Sequence, residues 1–441
     1  MRTSRVIVVV VLLAVIGLVG GYWYERPVMF TGSGYAAHSA CATVITAHRD
    51  NPRDDLPPDP LSVLLHLSYG DQSVTASGLG IIAKKTAWFT PGYGCTIADE
   101  RPNFAPPTPV NAQSNPFTNA PSPGDGPLKA ALDHAFGLDL SATAQKQLGT
   151  RAVIVIHDGK LIAERYAPGF TKDTPQISWS MTKSLTNLLV GRLVYEGKLN
   201  LDQDHLRPEW TDQRAAITIR QLMQMTSGLE WQEIYELNTP VTRMLYLQPD
   251  MGAYVASQKL AYPPGQHLEY STGSTTLLCS IIAPKNGGPD FPRRTLFAPL
   301  GLTSAVLEPD AVGTPVCGSY LWATPRDWAA IGQFALDDGV WNGQRLLPKG
   351  WMADSVKAVP AAETEEIGYG SGWWTNKDVA GKVLKTGLPA DTYYAEGHDG
   401  QRMVIVPSER LVVVQMSFTQ HSPEYSRSLK VAADAIAVLH H

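Results

Sequence analysis

Two residues near the middle of the chain have the types and the spacing of a catalytic pair. Ser180 and Lys183 are three positions apart, so on a helix they would share one face. Apolar residues recur at helical spacing from Met181 to Leu193, which puts Ser180 at the helix N-terminus. There the helix dipole and the free first-turn N–H groups favour an alkoxide and can bind an oxyanion. The pattern predicts a nucleophilic serine activated by a lysine; the alternative is a helix-terminal serine beside a solvated lysine.

A second segment offers a candidate proton acceptor for that serine. Tyr270 begins the stretch Tyr-Ser-Thr-Gly-Ser, which leads into another apolar pattern. If Tyr270 lay near Lys183, the positive charge would lower the pKa of its phenol, as a general base for Ser180 requires. Taken alone, Tyr270 is more simply explained as an ordinary half-buried tyrosine.

A third segment could complete an oxyanion hole. The sequence Gly-His398-Asp-Gly400-Gln401 runs directly into an apolar strand pattern at residues 403–406. The edge of that strand could offer the Gln401 N–H as a donor, with Gly400 allowing a substrate close to the backbone. Residues 385–387 spell Lys-Thr-Gly, but a Leu-Pro pair follows, which disfavours a central strand there. The segment from His398 to Gly400 is therefore preferred.

The elements that must position these groups point to an α+β fold. Arg151 to Tyr166 reads as two strands joined by an Asp-Gly turn, and residues 403–416 read as a second hairpin. A helical pattern follows from Leu429 to Leu439, whereas the middle of the chain mixes helical periods with Pro and Gly loops. Strands at both ends with a helical middle predict an antiparallel sheet flanked by helices and carrying an inserted helical subdomain.

The chain divides into three predicted parts: residues 1–26, 27–126 and 127–441. Arg2 and Arg5 precede an apolar run from Val6 to Gly21, which three aromatic residues close, so that the stretch approaches the ~20 residues of a membrane span. A cleaved signal peptide is the alternative, but no small-x-small site follows. We expect an N-terminal membrane anchor, then a region ending in a Pro-rich connector, then the main domain in the periplasm at a bacterial inner membrane.

Four cysteines fit an oxidising compartment better than a metal or redox site. None shows C-x-x-C spacing, and four are too few for a fold built on disulfides. Cys41 and Cys95 lie before the main domain and are the preferred pair. Cys279 and Cys317 could form a second bridge or remain buried thiols, and the sequence leaves both possibilities open.

Composition excludes several classes of function. The chain of 441 residues is 44% apolar and 17% charged, which is typical of a folded globular protein. A net charge of −5, from 36 basic and 41 acidic residues, argues against nucleic-acid binding. Neither a G-x-S-x-G elbow nor an H-E-x-x-H zinc motif occurs. No cofactor or metal is therefore expected, and the oligomeric state is not readable.

The three segments, in this order, resemble the motifs of the β-lactamase and penicillin-binding superfamily, which carries S-x-x-K, Y-x-N and then K-T-G or H-x-G. The segment Leu222 to Leu229 is also similar to that superfamily. The resemblance covers roughly residues 127–441. It points most of all to the class C branch and, within it, to 6-aminohexanoate-dimer hydrolase and related esterases. It implies a β-lactamase/transpeptidase-like fold.

The resemblance also implies roles for individual residues. Ser180 matches the acylated nucleophile, Lys183 its activating lysine and Tyr270 the tyrosine that relays the proton. The backbone N–H groups of Ser180 and Gln401 match the oxyanion hole. Tyr235 resembles a substrate-contacting tyrosine of the dimer hydrolase.

Departures from the family pattern bear on the substrate. Thr272 stands where the Asn of Y-x-N belongs, and His398 stands in place of the third-motif lysine. In β-lactamases these positions help to hold the substrate's amide and carboxylate. Ile234, with Glu233 and Glu236 on either side, occupies the loop position where class A enzymes place their deacylating glutamate. Efficient turnover of β-lactams is therefore not expected.

The sequence thus predicts a serine hydrolase that cleaves carboxylic esters or linear amides of small molecules through an acyl-Ser180 intermediate. The first alternative is a DD-peptidase acting on peptidoglycan stems, which the loss of the Asn disfavours. The second, from another class, is a non-catalytic envelope protein that kept the fold for binding.

Overall fold

The computed structural model describes residues 2–57, 60–361, 368–419 and 427–440. Its helices, in chain order, are α1 Arg2–Cys41, α2 Lys129–Ala135, α3 Ala142–Leu148, α4 Met181–Tyr195, α5 Ile219–Met223, α6 Pro240–Leu247, α7 Met251–Ala256, α8 Thr272–Asn286, α9 Ala298–Leu300, α10 Pro325–Leu336, α11 Trp351–Ser355 and α12 Arg427–Leu439. Its strands are β1 Leu65–Gly70, β2 Ser73–Gly78, β3 Ile82–Thr90, β4 Gly94–Ile97, β5 Thr150–His157, β6 Lys160–Tyr166, β7 Gln176–Ile177, β8 Val306–Leu307, β9 Leu321–Ala323, β10 Val340–Trp341, β11 Gln344–Arg345, β12 Trp374–Thr375, β13 Tyr393–Gly397, β14 Gln401–Val406 and β15 Leu411–Ser417.

The largest sheet joins strands from both ends of the main domain. Its six strands run in the order β12-β13-β14-β15-β5-β6, and every neighbouring pair is antiparallel. Both predicted hairpins are present, and at the β5–β6 turn Asp158 and Gly159 have φ of 47° and 72°, as a type I′ turn requires. The antiparallel sheet completed by N-terminal and C-terminal strands is confirmed.

Alternate residues of these strands enter two separate apolar cores. Ile154 and Val414 belong to the main core, which also contains the buried faces of α4 and α10. Val153 and Val413 face the other way, into a smaller core with α2 and α12. This alternation follows from the two-residue period of a strand, and it produces helices on both faces of the sheet. The helices from α5 to α9 lie between α4 and β8 in the chain, where the sequence predicts an inserted helical region.

The N-terminal region forms a helix and a second sheet that pack on the main domain. Strands β1 to β4 make an antiparallel sheet in sequence order, and α1 packs across it and against α6. His38 of α1 shares a buried 2.8 Å contact with Glu308, which also accepts a hydrogen bond from the Cys95 N–H. The structure joins Cys41 to Cys95 and also Cys279 to Cys317. Residues of α1, β2 and β3 therefore share one core with α4 and α10.

The expected anchor over residues 1–26 is not supported. Helix α1 runs from Arg2 through Pro27 to Cys41, with no boundary at residue 26. Within the part of the chain that the structure describes, no helix combines the length and the hydropathy that a bilayer span needs. The side chains of residues 2–11, which include the first six of the sixteen residues in the predicted apolar run, are not described.

Candidate active site

The backbone around Ser180 presents its hydroxyl at the start of α4. Ser180 is the residue that precedes the helix, and its side chain makes no capping hydrogen bond. Trp179 just before it has a φ of 46°, which is unusual for a residue with a bulky side chain. Two contacts hold this turn: the Trp179 indole N–H donates to Asp399 over 3.1 Å, and the Ser178 hydroxyl accepts from Trp328 over 2.6 Å. The turn therefore leaves the Ser180 hydroxyl free for another partner.

That partner is Lys183, as the sequence predicts. Its Nζ lies 2.7 Å from Ser180 Oγ, 2.8 Å from Thr272 Oγ1 and 3.1 Å from the Gly318 carbonyl oxygen. Lys183 is 2% exposed and Ser180 9% exposed. All three ammonium protons thus have acceptors inside the protein, and the amine is fixed beside the serine hydroxyl.

Burial changes the acid–base behaviour of this lysine. Removal of the amine from water lowers the pKa of Lys183 from 10.5 to about 8, and the charge of Glu233 opposes this shift. An appreciable fraction of the amine is therefore neutral near pH 8, and a neutral amine can accept a proton. The geometry and the pKa together make Lys183 a suitable general base for Ser180.

The role predicted for Tyr270 needs a correction. The Lys183 ammonium lies over the Tyr270 ring, 4.6 Å from its centroid, so the two residues do meet. Burial nevertheless raises the pKa of Tyr270 well above its ordinary value, and the facing Ser180 side chain offsets only part of that rise. The expectation of a lowered phenol pKa was wrong, because the loss of water around the phenol raises its pKa and the charge of Glu233 adds to the rise. Tyr270 stays protonated at neutral pH and is suited to donate a hydrogen bond.

Glu233 is a site residue that the sequence analysis set aside. Its carboxylate accepts hydrogen bonds from the Thr272 hydroxyl, from the Thr272 N–H over 2.9 Å and from the Trp231 indole over 2.7 Å. The Thr272 N–H belongs to the first turn of α8, where a carboxylate is favoured by the helix dipole. A chain of hydrogen bonds therefore connects Glu233, through the Thr272 hydroxyl, to Lys183. The sequence signal was an acidic residue next to Ile234 in this loop. The Ile234 side chain itself is half exposed.

Tyr235 and His398 are brought to the site by ring contacts. The rings of Tyr235 and His398 stack with centroids 4.7 Å apart, and both meet Trp179 edge to face. Burial and the charge of Glu233 raise the pKa of the Tyr235 phenol, while contacts with Thr272 and Ser180 oppose the rise. The Tyr235 phenol therefore faces the serine, whereas the His398 side chain remains 44% exposed at the rim.

The third predicted segment packs against the residues that precede Ser180. A Cβ at Gly397 would lie 2.3 Å from the Ser178 carbonyl oxygen, so β13 approaches the nucleophile turn very closely. Gln401 begins β14 opposite Gly397, with its side chain buried and bonded to the Ser417 backbone. The Lys-Thr-Gly sequence at residues 385–387 lies in the loop between β12 and β13, outside the sheet.

The structure gives Gly400 a conformational reason to be glycine. Its φ is 82°, and an added Cβ would lie 2.3 Å from the Thr419 hydroxyl and 3.2 Å from the Ser417 side chain. Glycine is favoured there because other residues rarely adopt this φ and because a Cβ would crowd these neighbours. The expectation that Gly400 lets a substrate approach the backbone stays a prediction.

Across the described ranges, no three His, Cys, Asp or Glu side chains converge as metal ligands. The site is instead built from a serine, a buried amine and protonated phenols at one edge of an antiparallel sheet. Such a combination is the kind of site that serine hydrolases use. The family model described as Beta-lactamase matches residues 138–437, about two thirds of the chain, and the chain belongs to that family.

Two curated relatives and one solved structure illustrate the relationship. Protein flp of Staphylococcus aureus (strain N315) is 28% identical over 229 residues, which is 45% of this chain and 45% of that protein. The chain therefore spans less than half the length of that relative. The 6-aminohexanoate-dimer hydrolase of Paenarthrobacter ureafaciens is 24% identical over 297 residues, 61% of this chain and 72% of that protein. A Bacillus anthracis structure named for 6-aminohexanoate-dimer hydrolase activity shares the fold, with a TM-score of 0.58, 22% identity, and coverage of 77% of this chain and 88% of the other.

Proposed function

We propose that this serine hydrolase cleaves carboxylic esters or linear amides through an acyl-Ser180 intermediate. The observation that carries the proposal is the buried contact of 2.7 Å between Lys183 Nζ and Ser180 Oγ. A serine hydroxyl needs a base within hydrogen-bond reach, and this amine has both the position and a pKa of about 8.

Acylation begins with the neutral form of Lys183. In that form Nζ keeps two donations, to Thr272 and to Gly318, and its lone pair faces Ser180. The Ser180 proton moves to Nζ while Oγ bonds to the substrate carbonyl carbon, whose oxygen becomes an oxyanion. The resulting ammonium then has an acceptor for each of its three protons, so the charged state is stabilised by contacts that already exist.

Collapse of the tetrahedral intermediate expels the leaving group, which takes a proton from the Lys183 ammonium. The Tyr270 phenol, protonated at neutral pH, supports this transfer with a hydrogen bond toward the leaving atom. Water then gives a proton to Lys183 and attacks the acyl carbon. As the tetrahedral intermediate collapses, the Lys183 ammonium returns that proton to Ser180 Oγ and the carboxylic acid is released. The oxyanion would be held by the Ser180 N–H and a backbone N–H of the β13–β14 turn, each of which can be worth about 3 to 4 kcal/mol.

Three observations favour a linear substrate over a β-lactam. The Thr272 hydroxyl is already engaged by Lys183 and Glu233, so it is not available to hold a substrate amide as the family's Asn does. The third-motif lysine is replaced by His398, which stacks on Tyr235. One relative is named for hydrolysis of the 6-aminohexanoate dimer.

The reaction is tested by labelling with a fluorophosphonate and by hydrolysis of p-nitrophenyl acetate. Ser180→Ala should abolish both, because no acyl-enzyme can form. Ser184→Ala is the matched control: its hydroxyl lies one turn further along α4 and donates to the Gly372 carbonyl, away from Ser180. Equal labelling of wild type and Ser180→Ala would refute the assignment. Durable acylation by labelled penicillin would favour a DD-peptidase-type activity instead.

We also propose that the enzyme works outside the cytoplasm of a bacterial cell. The two disulfides, Cys41–Cys95 and Cys279–Cys317, support an oxidising compartment, since cytosolic thiols are kept reduced. Titration of free thiols in protein isolated under acid quench tests this: four free thiols would contradict it.

A further inference from the structure

An apolar cavity adjoins the candidate active site. It has a volume of about 430 Å³ and lies between α1 and the small N-terminal sheet, and it ends at the loop residues 235–237. Residues from α1 and from β1 to β3 form its walls, among them Met29, Gly32, Leu65 and Ile82. Glu236 alone carries a charge among the described residues that line it. A cavity of this size and apolarity is typical of small-molecule sites.

Two aromatic residues connect the cavity to the nucleophile. Tyr35 and Tyr235 both line the cavity, and both rings meet Trp179 edge to face, at 6.4 Å and 5.8 Å between centroids. Trp179 directly precedes Ser180, and the Tyr235 phenol faces the Ser180 side chain. Tyr235 therefore contacts both the Ser180 side chain and the apolar cavity.

We propose that this cavity binds an apolar chain of the substrate next to the scissile bond, an inference that rests on the proposed hydrolase function. The preferred substrates are then esters or amides with an aliphatic chain rather than short acyl compounds. The walls come from residues 28–82 together with the loop at Tyr235. The N-terminal region, which lies outside the family match at 138–437, thus sets specificity for a reaction carried out by the family domain.

The test measures how kcat/KM depends on chain length. One series consists of p-nitrophenyl acetate, butyrate and hexanoate, and the other of ethyl, butyl and hexyl acetates followed by acid release. In wild type, one series should rise by up to about fourfold per methylene, the factor that burial of one CH₂ can supply. The series that rises identifies whether the acyl or the alcohol side occupies the cavity.

Gly32→Leu should remove this preference. A Cβ at Gly32 meets only the Leu237 side chain at 3.5 Å, so a leucine fits on the helix and its side chain fills the cavity. We expect kcat/KM for the longest member of the series that rises in wild type to fall at least about tenfold, while that for the shortest member of the same series changes less than about twofold. Gly20→Leu is the matched control, because it makes the same change on α1 where a Cβ meets nothing within 4 Å.

The outcomes separate the two proposals. If p-nitrophenyl acetate is hydrolysed in a Ser180-dependent way but neither series depends on chain length, the cavity proposal is overturned and the hydrolase proposal stands. An equal loss for short and long chains in Gly32→Leu would also overturn it. If no ester of either series is cleaved, the proposed function itself fails.

Discussion

The amine of Lys183 decides the chemistry at the scale of single residues. In a helix exposed to water it would carry a charge throughout the physiological range and could not accept a proton. Burial lowers its pKa to about 8, and the charge of Glu233 limits that change. Near pH 8 a neutral amine is therefore in contact with the Ser180 hydroxyl.

This pKa gives a testable pH dependence. Because the neutral amine is the active form, kcat/KM for p-nitrophenyl acetate should rise about tenfold per pH unit below pH 8 and level off above it. Lys183→Arg should reduce kcat/KM by at least about a hundredfold, since a guanidinium stays charged at every accessible pH. Constant activity from pH 6 to 9 would contradict the role of Lys183 as the base.

Tyr270 should behave differently from Lys183. Since its phenol stays protonated, Tyr270→Phe removes a hydrogen-bond donor but not the base. We expect a decrease in kcat of about tenfold to a hundredfold with the pH midpoint still near 8. The pH–rate profile of the variant checks this. A shift of more than one pH unit in the midpoint of this profile would indicate that the Tyr270 phenol acts as the base.

At the scale of elements, the approach of β13 to the turn before α4 positions the nucleophile. Gly397→Ala should lower kcat/KM at least about tenfold, because its methyl group would lie 2.3 Å from the Ser178 carbonyl oxygen and push the turn away. Gly387→Ala is the matched control: it lies in the Lys-Thr-Gly sequence of the β12–β13 loop, where a Cβ meets nothing within 4 Å. If Gly387→Ala proved as harmful as Gly397→Ala, the Lys-Thr-Gly sequence, and not the segment that begins at Gly397, would be the third motif of the site.

The contact between α1 and the main domain depends on Glu308. This buried carboxylate accepts hydrogen bonds from the Cys95 N–H and the Trp322 indole and pairs with His38. Glu308→Ala should lower the free energy of unfolding by about 3 to 5 kcal/mol, because it leaves buried donors unpaired. Urea unfolding measures this, with Lys357→Ala, which breaks an exposed ion pair with Asp354, as a control that should change it by less than about 1 kcal/mol.

At the scale of the whole molecule, the two disulfides stabilise different parts of the site. Cys279 lies on α8, which begins with Thr272, and Cys317 precedes Gly318, so this bridge links two of the acceptors that surround Lys183. The Cys41–Cys95 bridge instead joins the end of α1 to the small sheet that forms the cavity.

Each bridge should therefore affect a different property. Replacement of Cys279 and Cys317 by serine should lower kcat for every ester, whereas replacement of Cys41 and Cys95 should chiefly reduce the preference for long chains. Both changes should cost about 2 to 4 kcal/mol of stability. Kinetics with acetate and hexanoate esters, together with urea unfolding of each double variant, check the separation. Identical kinetic profiles for the two variants would show that the bridges share one structural role.

Local patterns in the sequence determined a large part of this protein. The spacing of Ser180 and Lys183 on an apolar helix, the Asp-Gly hairpin and the alternating strands depend on neighbours in the chain. Such features are encoded by backbone geometry over a few residues, and the structure contains them at the expected places.

Tertiary structure decided the properties that depend on burial and on distant partners. The pKa of Tyr270 is set by the water it loses, and Glu233 reaches Lys183 only because its loop packs on the start of α8. The apolar cavity exists because α1 folds back over a sheet and meets Tyr235, some two hundred residues further along the chain. A local sequence pattern cannot predict this contact between distant segments. Burial and pKa values depend on which segments pack together and exclude water from one another.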